Sequence, residues 1–265
     1  MKRVLAVLLV LGCLTVVGHR LAEAITWGEV DTADRYPFVS LVLTQVSDTE
    51  FELCSGTLLS PTLVVTAAHC VADGIAGVSV VAFGISPLTA PTAVSFGVPV
   101  PHPDFVDPLI GPDVAVIPLL LPVPMASYGE LPDPGTLVEV ARMRGALSER
   151  FFRTVGFGID GVSGYVSEGK PGLQVSGLRR VGEQSLVNIE GPVNGEALYA
   201  QFSGAAGTLS GGACLGDSGG PVFIGDSNAI AAVNSFGSNQ NCAGQTHASR
   251  LDVETVLDLL AVYLP

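Results

Sequence analysis

The chain has 265 residues, 48% of them hydrophobic and 14% charged, with a mean hydropathy of +0.51. So apolar and weakly charged a chain is not a disordered one, and its length allows one cored domain or two small ones. Its 12 basic and 25 acidic side chains give a formal charge of -13, the wrong sign for nucleic acid, and its 32 glycines and 18 prolines interrupt it too often for a helical bundle, a coiled coil or a strand–helix alternation.

Met1-Lys2-Arg3 is a short basic start before an almost unbroken apolar run from Val4 to Val17. That run is too short for a comfortable membrane span and suits the apolar region of an export signal. Ala22-Glu23-Ala24 follows as a small-x-small cleavage site, so residues 1–24 are expected to be a signal peptide and Ile25 the first residue of a secreted, extracellular protein. Val10-Leu11-Gly12-Cys13 loosely resembles a lipidation site, but the apolar run continues past Cys13. No second apolar stretch reaches the length of a span, so the mature form is not expected to cross a membrane. Cleavage removes Lys2, Arg3, Arg20 and Glu23, leaving 9 basic and 24 acidic side chains, and reduces the cysteines to Cys54, Cys70, Cys214 and Cys242. Four cysteines in an exported chain suggest disulfides with three pairings open, of which Cys54–Cys70 with Cys214–Cys242 is the most economical. No C-x-x-C spacing supports a metal site, and none is expected.

Along the mature chain, short or alternating apolar segments recur between breakers: 38–46, 57–60, 63–67, 78–83, 94–100 and 114–121, then 137–141, 151–157, 172–181, 197–202, 221–224 and 229–235. This texture predicts an all-β antiparallel sandwich or barrel. Five prolines between Pro118 and Pro134 mark a crossing between two halves, since proline cannot complete a central ladder. Residues 137–144 also fit a short surface helix. From Asp252 onward, Val253, Val256, Leu257, Leu260, Ala261 and Leu264 fall at helical spacing, and Asp252 is placed to cap that terminal helix.

Three stretches carry chemistry. Thr66-Ala67-Ala68-His69-Cys70 follows an apolar strand, Asp113-Val114-Ala115-Val116-Ile117 opens another, and Gly216-Asp217-Ser218-Gly219-Gly220-Pro221 comes just after Cys214. Singly, each has a bland account as a core histidine, a strand-opening aspartate or a tight turn. Together, in the order His, Asp, Ser, they match one chain order of the serine-nucleophile triad. Gly216 to Gly220 also fits the looser Gly-x-Ser-x-Gly of α/β-hydrolase esterases, but those place serine first and alternate strands with helices.

On these motifs, the chain resembles the trypsin/chymotrypsin family of secreted serine proteases, and most closely its bacterial extracellular members, from Ile25 to the terminal helix. The resemblance implies two six-stranded antiparallel β-barrels, residues 25–128 and 129–265, with a C-terminal α-helix and the active site in the cleft between them. It implies His69 as general base, Asp113 as the buried acid that orients it, and Ser218 as the nucleophile. The Gly216 and Ser218 amides would form the oxyanion hole, and Cys70 would be bridged to Cys54. Asp217 would pair with the new α-amino group of Ile25, although Ile25-Thr26-Trp27-Gly28 departs from the usual Ile-Val-Gly-Gly.

Counting from Ser218 puts Gly212 at the floor of the primary pocket, where enzymes that cut after Lys or Arg carry aspartate. Ser235, Phe236 and Gly237 would form a wall, with Thr246 behind it and His247 nearby. An uncharged pocket implies cleavage after small or medium apolar residues, with large aromatics second. The expected partners are a protein or peptide substrate and a protein inhibitor, with no nucleic acid and no cofactor, on a monomer. The rival function is a catalytically silent homologue that serves as a secreted binding module, whose mark would be a missing triad or oxyanion residue. Arg142, Arg144, Arg150 and Arg153 are expected to lie on a solvated face, and residues 86–93 lack a calcium-ligand array.

Overall fold

A computed structural model describes residues 25, 28–143, 151–158, 161–166, 170–174, 177–189, 198–204, 212–238 and 245–264. The signal-peptide assignment, Cys13, Cys242, Arg144, Arg150, Thr26 and Trp27 lie outside these residues. The first half supplies β2 (Val39–Gln45), β3 (Phe51–Ser60), β4 (Leu63–Thr66), β5 (Ser79–Phe83), β6 (Ala93–Gly97), β7 (Val100–Pro101) and β8 (Ala115–Pro118). They form one antiparallel sheet in the order β6-β5-β2-β3-β4-β8-β7. It curls until its ends meet at an isolated Gly97–Leu119 bridge, where Leu120 N donates to Phe96 O at 2.9 Å.

The second half supplies β9 (Phe151–Gly156), β12 (Arg180–Asn188), β13 (Tyr199–Ser203), β14 (Pro221–Ile224), β15 (Ile230–Gly237) and β16 (Gln245–Arg250). Pairing of β9 with both β14 and β12 closes these six strands into a barrel. The hairpin β10 (Gly161–Val166) and β11 (Lys170–Gln174) stands apart as its own two-stranded sheet. The all-β, two-barrel architecture with a terminal helix is therefore present, with one barrel fully closed and the other a curled sheet.

Both ends of the chain cross the expected division into halves. β1 (Glu29–Val30) pairs with β12 and so joins the second barrel. The terminal helix α3 (Glu254–Tyr263) buries Val256 and Leu260 in an apolar cluster shared with Val64 and Ile117 of the first sheet, and its Thr255 carbonyl lies 3.1 Å from Nε2 of His102, just after β7. Between the halves the chain changes allegiance over two residues: Gly129 N donates to Leu58 O and Glu130 N to Asn228 O, at 2.9 and 2.8 Å.

Of the two readings of residues 137–144, the helix is the one present, as α2 (Thr136–Arg142), because Leu137 and Val140 are the buried face of a helix and not alternate residues of a strand. One local expectation needs correction. Asp252 does not cap α3, whose N-cap is Val253. Its carboxylate instead accepts from Leu137 N at 2.8 Å and so caps α2, while Arg250 holds both its oxygens. Apolar and polar contacts then weld the sheets together. Tyr36 stacks on Phe223 at 5.1 Å, and Phe38 meets the same ring edge-on at 5.9 Å.

The fully buried Arg179 donates from Nε to Asp31 at 2.9 Å, from Nη1 to Gly84 O at 3.3 Å, and from Nη2 to Asp34. Asp31 also accepts from the amides of Arg35 and Tyr36. Arg179 thus ties the N-terminal segment, the first sheet and the second barrel together. Losing one member of a buried pair leaves the other charge desolvated. Arg179→Met is accordingly expected to lower the unfolding free energy by about 3 kcal/mol, read as a drop in the urea midpoint.

Candidate active site

The antiparallel pairing of β4 with β8 sets Thr66 opposite Ala115. His69, three residues after Thr66, and Asp113, two before Ala115, therefore emerge at the same end of the sheet. His69 opens the short helix α1 (His69–Ala72), and Cys70 behind it is bridged to Cys54 of β3. Cys214 is also disulfide-bonded, while its expected partner Cys242 lies outside the described residues.

Asp113 is completely buried. Its Oδ1 accepts from His69 N at 2.9 Å, and its Oδ2 lies 2.6 Å from His69 Nδ1 and also accepts from Ser235 Oγ of β15. The buried carboxylate thus fixes the imidazole through ring and backbone together. Burial by itself pulls the His69 pKa down, but the hydrogen bond and charge of Asp113, with a smaller push from Glu52, raise it above the ordinary histidine value.

Ser218 lies on the loop leading into β14, directly across from β3: its carbonyl accepts from Ser55 N at 2.8 Å. Its hydroxyl donates to Ser235 O at 3.4 Å, and no hydrogen bond joins it to His69. Gly216 has φ of +93°, a conformation that disfavours a side chain. Among the described residues, neither the Gly216 N–H nor the Ser218 N–H donates to an acceptor, and both residues are only partly buried. Two oriented, unspent donors beside a serine hydroxyl suit a developing oxyanion.

Asp217 is fully buried and accepts from Gly158 N and Cys214 N at 2.8 and 2.9 Å. Its carboxylate fills space that only glycine leaves open: a Cβ on Gly156 would overlap Oδ1, and one on Gly158 would sit 2.6 Å from Cγ. Ile25 is also fully buried, and β1, just after it, lies one strand from β9, whose end cradles Asp217. In the full-length chain the Ile25 nitrogen is a peptide amide, so the charged pair expected with Asp217 is not a property of this form.

Of the residues expected around a pocket, Gly212, Phe236, Gly237 and Thr246 are near neighbours, whereas the Ser235 hydroxyl is turned inward to Asp113. Ala213 N, next to the buried Gly212, donates to Thr246 Oγ1 at 3.1 Å, and Thr246 faces Gly237 across β15–β16. Thr246 itself is buried, and its hydroxyl is engaged by the Ala213 amide. Phe236 is half-exposed and stacks on His247 at 4.5 Å, with Tyr199 6.0 Å away on its own contact to that ring. Two polar groups at the site belong to no sequence motif. Tyr199 OH donates to Gly111 O at 2.9 Å, just before Asp113, and Ser55 Oγ donates to Gly216 O at 2.9 Å. The only trace of Ser55 in the sequence is its place beside Cys54.

The sequence matches the family model Trypsin over residues 25–258. A curated protein named Trypsin from Saccharopolyspora erythraea is 27% identical over 234 residues, 83% of this chain and 88% of that protein. Among solved structures, HL collagenase superposes with a TM-score of 0.69 at 20% identity, covering 89% of this chain and 96% of its own. A scabies mite inactivated protease paralogue, S-I1, gives 0.62 at 16% identity, covering 89% and 98%.

The buried imidazole of His247 provides a pH test of the Phe236 wall. Burial lowers its pKa, so the unfolded chain takes up the proton more readily. Its contribution to stability is complete above the ordinary histidine pKa and is lost as pH falls through the lower folded value. Thermal melts from neutral to acid pH should show a steeper loss in the wild type than in His247→Phe, which keeps the stack on Phe236 and removes the ionisable group.

Proposed function

The chain belongs to the trypsin family, and from that premise we propose that it is a secreted serine endopeptidase that hydrolyses peptide bonds through an acyl-enzyme. The observation that carries this reading is a histidine held by a buried aspartate at the seam where a serine loop presents two amides that have no acceptor among the described residues.

On substrate binding the Ser218 hydroxyl turns from Ser235 O toward His69 Nε2. As Ser218 Oγ attacks the carbonyl carbon, His69 takes its proton, and Asp113 stabilises the resulting imidazolium through Nδ1–H. The carbonyl oxygen becomes an oxyanion and is received by the Gly216 and Ser218 amides, each worth about 3 kcal/mol to the transition state. Collapse breaks the C–N bond, and His69 gives its proton to the departing amine. Water then repeats the sequence on the ester and regenerates Ser218.

Gly212 puts no charge on the pocket floor, and Thr246 closes its wall, which favours small or medium apolar residues before the cut. Export with removal of residues 1–24 would leave the Ile25 amine to pair with Asp217, so that signal peptidase itself completes the site. The partners are protein and peptide substrates and, by the same cleft, a protein inhibitor acting on a monomer. The silent-homologue alternative finds no missing triad or oxyanion residue.

Mass spectrometry of a diverse peptide mixture tests this directly. Cuts should cluster after Ala, Val and Leu, and Ser218→Ala should lower the rate by about 10^4-fold or more. Clustering after Arg or Lys would overturn the pocket assignment, and cuts that persist in Ser218→Ala would overturn the nucleophile. The amine pairing has its own signature. Activity should fall as pH rises through the amine's pKa, near 8 when unperturbed and higher when paired with a carboxylate. A form in which residues remain attached before Ile25 should show only a small fraction of the activity of the processed enzyme.

A further inference from the structure

We propose that Ser55 is a positioning residue for the oxyanion-binding amides, its hydroxyl fixing the Gly216–Asp217 peptide from across the seam between the two barrels. The inference rests on the endopeptidase reading and assigns a specific residue to the upkeep of that site.

Ser55 and its neighbour Cys54 point to opposite faces of β3, as successive strand residues must. Cys54 reaches Cys70, beside His69, through the disulfide, whereas Ser55 faces the serine loop. Ser55 is completely buried, and each of its polar atoms has a partner. Its amide donates to Ser218 O at 2.8 Å, and its carbonyl accepts from Thr66 Oγ1 at 2.8 Å. Its Oγ accepts from Phe157 N at 3.1 Å and donates to Gly216 O at 2.9 Å. A serine hydroxyl has a single proton. With the Phe157 N–H filling an acceptor position, that proton is committed to Gly216.

The loop therefore gives its Gly216 and Ser218 carbonyls to Ser55, while the N–H groups of those same two residues remain without acceptors among the described residues. Gly216, at φ of +93°, has no side chain to restrict it. Asp217 between them is held by Gly158 N and Cys214 N, and Gly158 directly follows the Phe157 that bonds Ser55. One backbone run, 157–158, thus supports the loop twice, once through Asp217 and once through Ser55. The bond from Ser55 N would survive any residue but proline at this position. The hydroxyl bridge from Phe157 N to Gly216 O is what serine adds. Pre-oriented donors matter most in the transition state, so the loss should appear in turnover more than in substrate binding.

Ser55→Ala keeps the backbone bond and removes the bridge. Referred to titrated active sites, kcat should fall about 100-fold while KM stays within about twofold. Affinity for a peptide boronic acid, which mimics the tetrahedral state, should fall in parallel with kcat/KM. In a Ser218→Ala background, which needs no activity, adding Ser55→Ala should speed hydrogen exchange at the Asp217 and Gly220 amides about tenfold and leave β16 unchanged. Ser55→Gly serves as the second variant where alanine does not fold. Unchanged kcat and exchange would overturn the proposal, as would a loss confined to KM or exchange accelerated evenly through the barrel. Wild-type protein that hydrolyses nothing would defeat the endopeptidase reading alone, because the exchange experiment still decides whether Ser55 orders the loop.

Discussion

The Asp113 carboxylate has no contact with water, and this single constraint organises the molecule. An ionised carboxylate without partners in such a place would cost several kcal/mol, so its oxygens must find donors. Two come from His69, at the start of α1 in the first half, and one from Ser235 of the second barrel. Neither half alone completes the set. Docking the barrels and building the site are therefore the same event. The proposed base is held most rigidly where the halves depend on each other most.

The same logic repeats around the seam. Asp217 is satisfied by amides from the end of β9 and from the serine loop, and Asp31 by the buried Arg179 and two amides. Ser55 carries the pattern into a neutral group, spending one hydroxyl on a donor just after β9 and an acceptor on the loop. An apolar interface would tolerate sliding, because dispersion has no direction. These bonds fail with small displacements, so the seam has a defined register and the cleft a fixed shape.

What could be read from the sequence follows from where its signals are local. The apolar strands 39–45, 63–66 and 221–224 and the terminal helix have periodicities that a short window reveals. β16 does not: Gln245-Thr246-His247-Ala248-Ser249-Arg250 is polar by composition yet buried almost throughout, because it lies between β13 and β15 and its side chains face partners instead of solvent. The first half of β3 is missed for a different reason: it opens on the exposed Phe51 and Glu52 and becomes buried only from Cys54 and Ser55 onward, so no single period runs through it. The site divides along the same line. His69, Asp113 and Ser218 stand in compact motifs, each legible from a few neighbours. Ser55 and Gly216 are 161 residues apart, and Tyr199 and Gly111 are 88 apart; in both pairs the contact exists only after the chain has folded.

Charge presents a last question, why so acidic a chain should have an uncharged pocket floor. The buried arginines do not account for it, since Arg179 and Arg250 are matched by Asp31, Asp34 and Asp252 at the seam and at the cap of α2. The excess of carboxylates lies outside, where their field is screened over about 8 Å at physiological salt. Such a field acts on the approach and net charge of a substrate, whereas in the proposed reading the residue accepted before the cut is decided within contact distance, at Gly212 and Thr246. Long-range attraction toward basic substrates and the proposed short-range preference for an apolar side chain are then separable properties, set by different residues of the same chain.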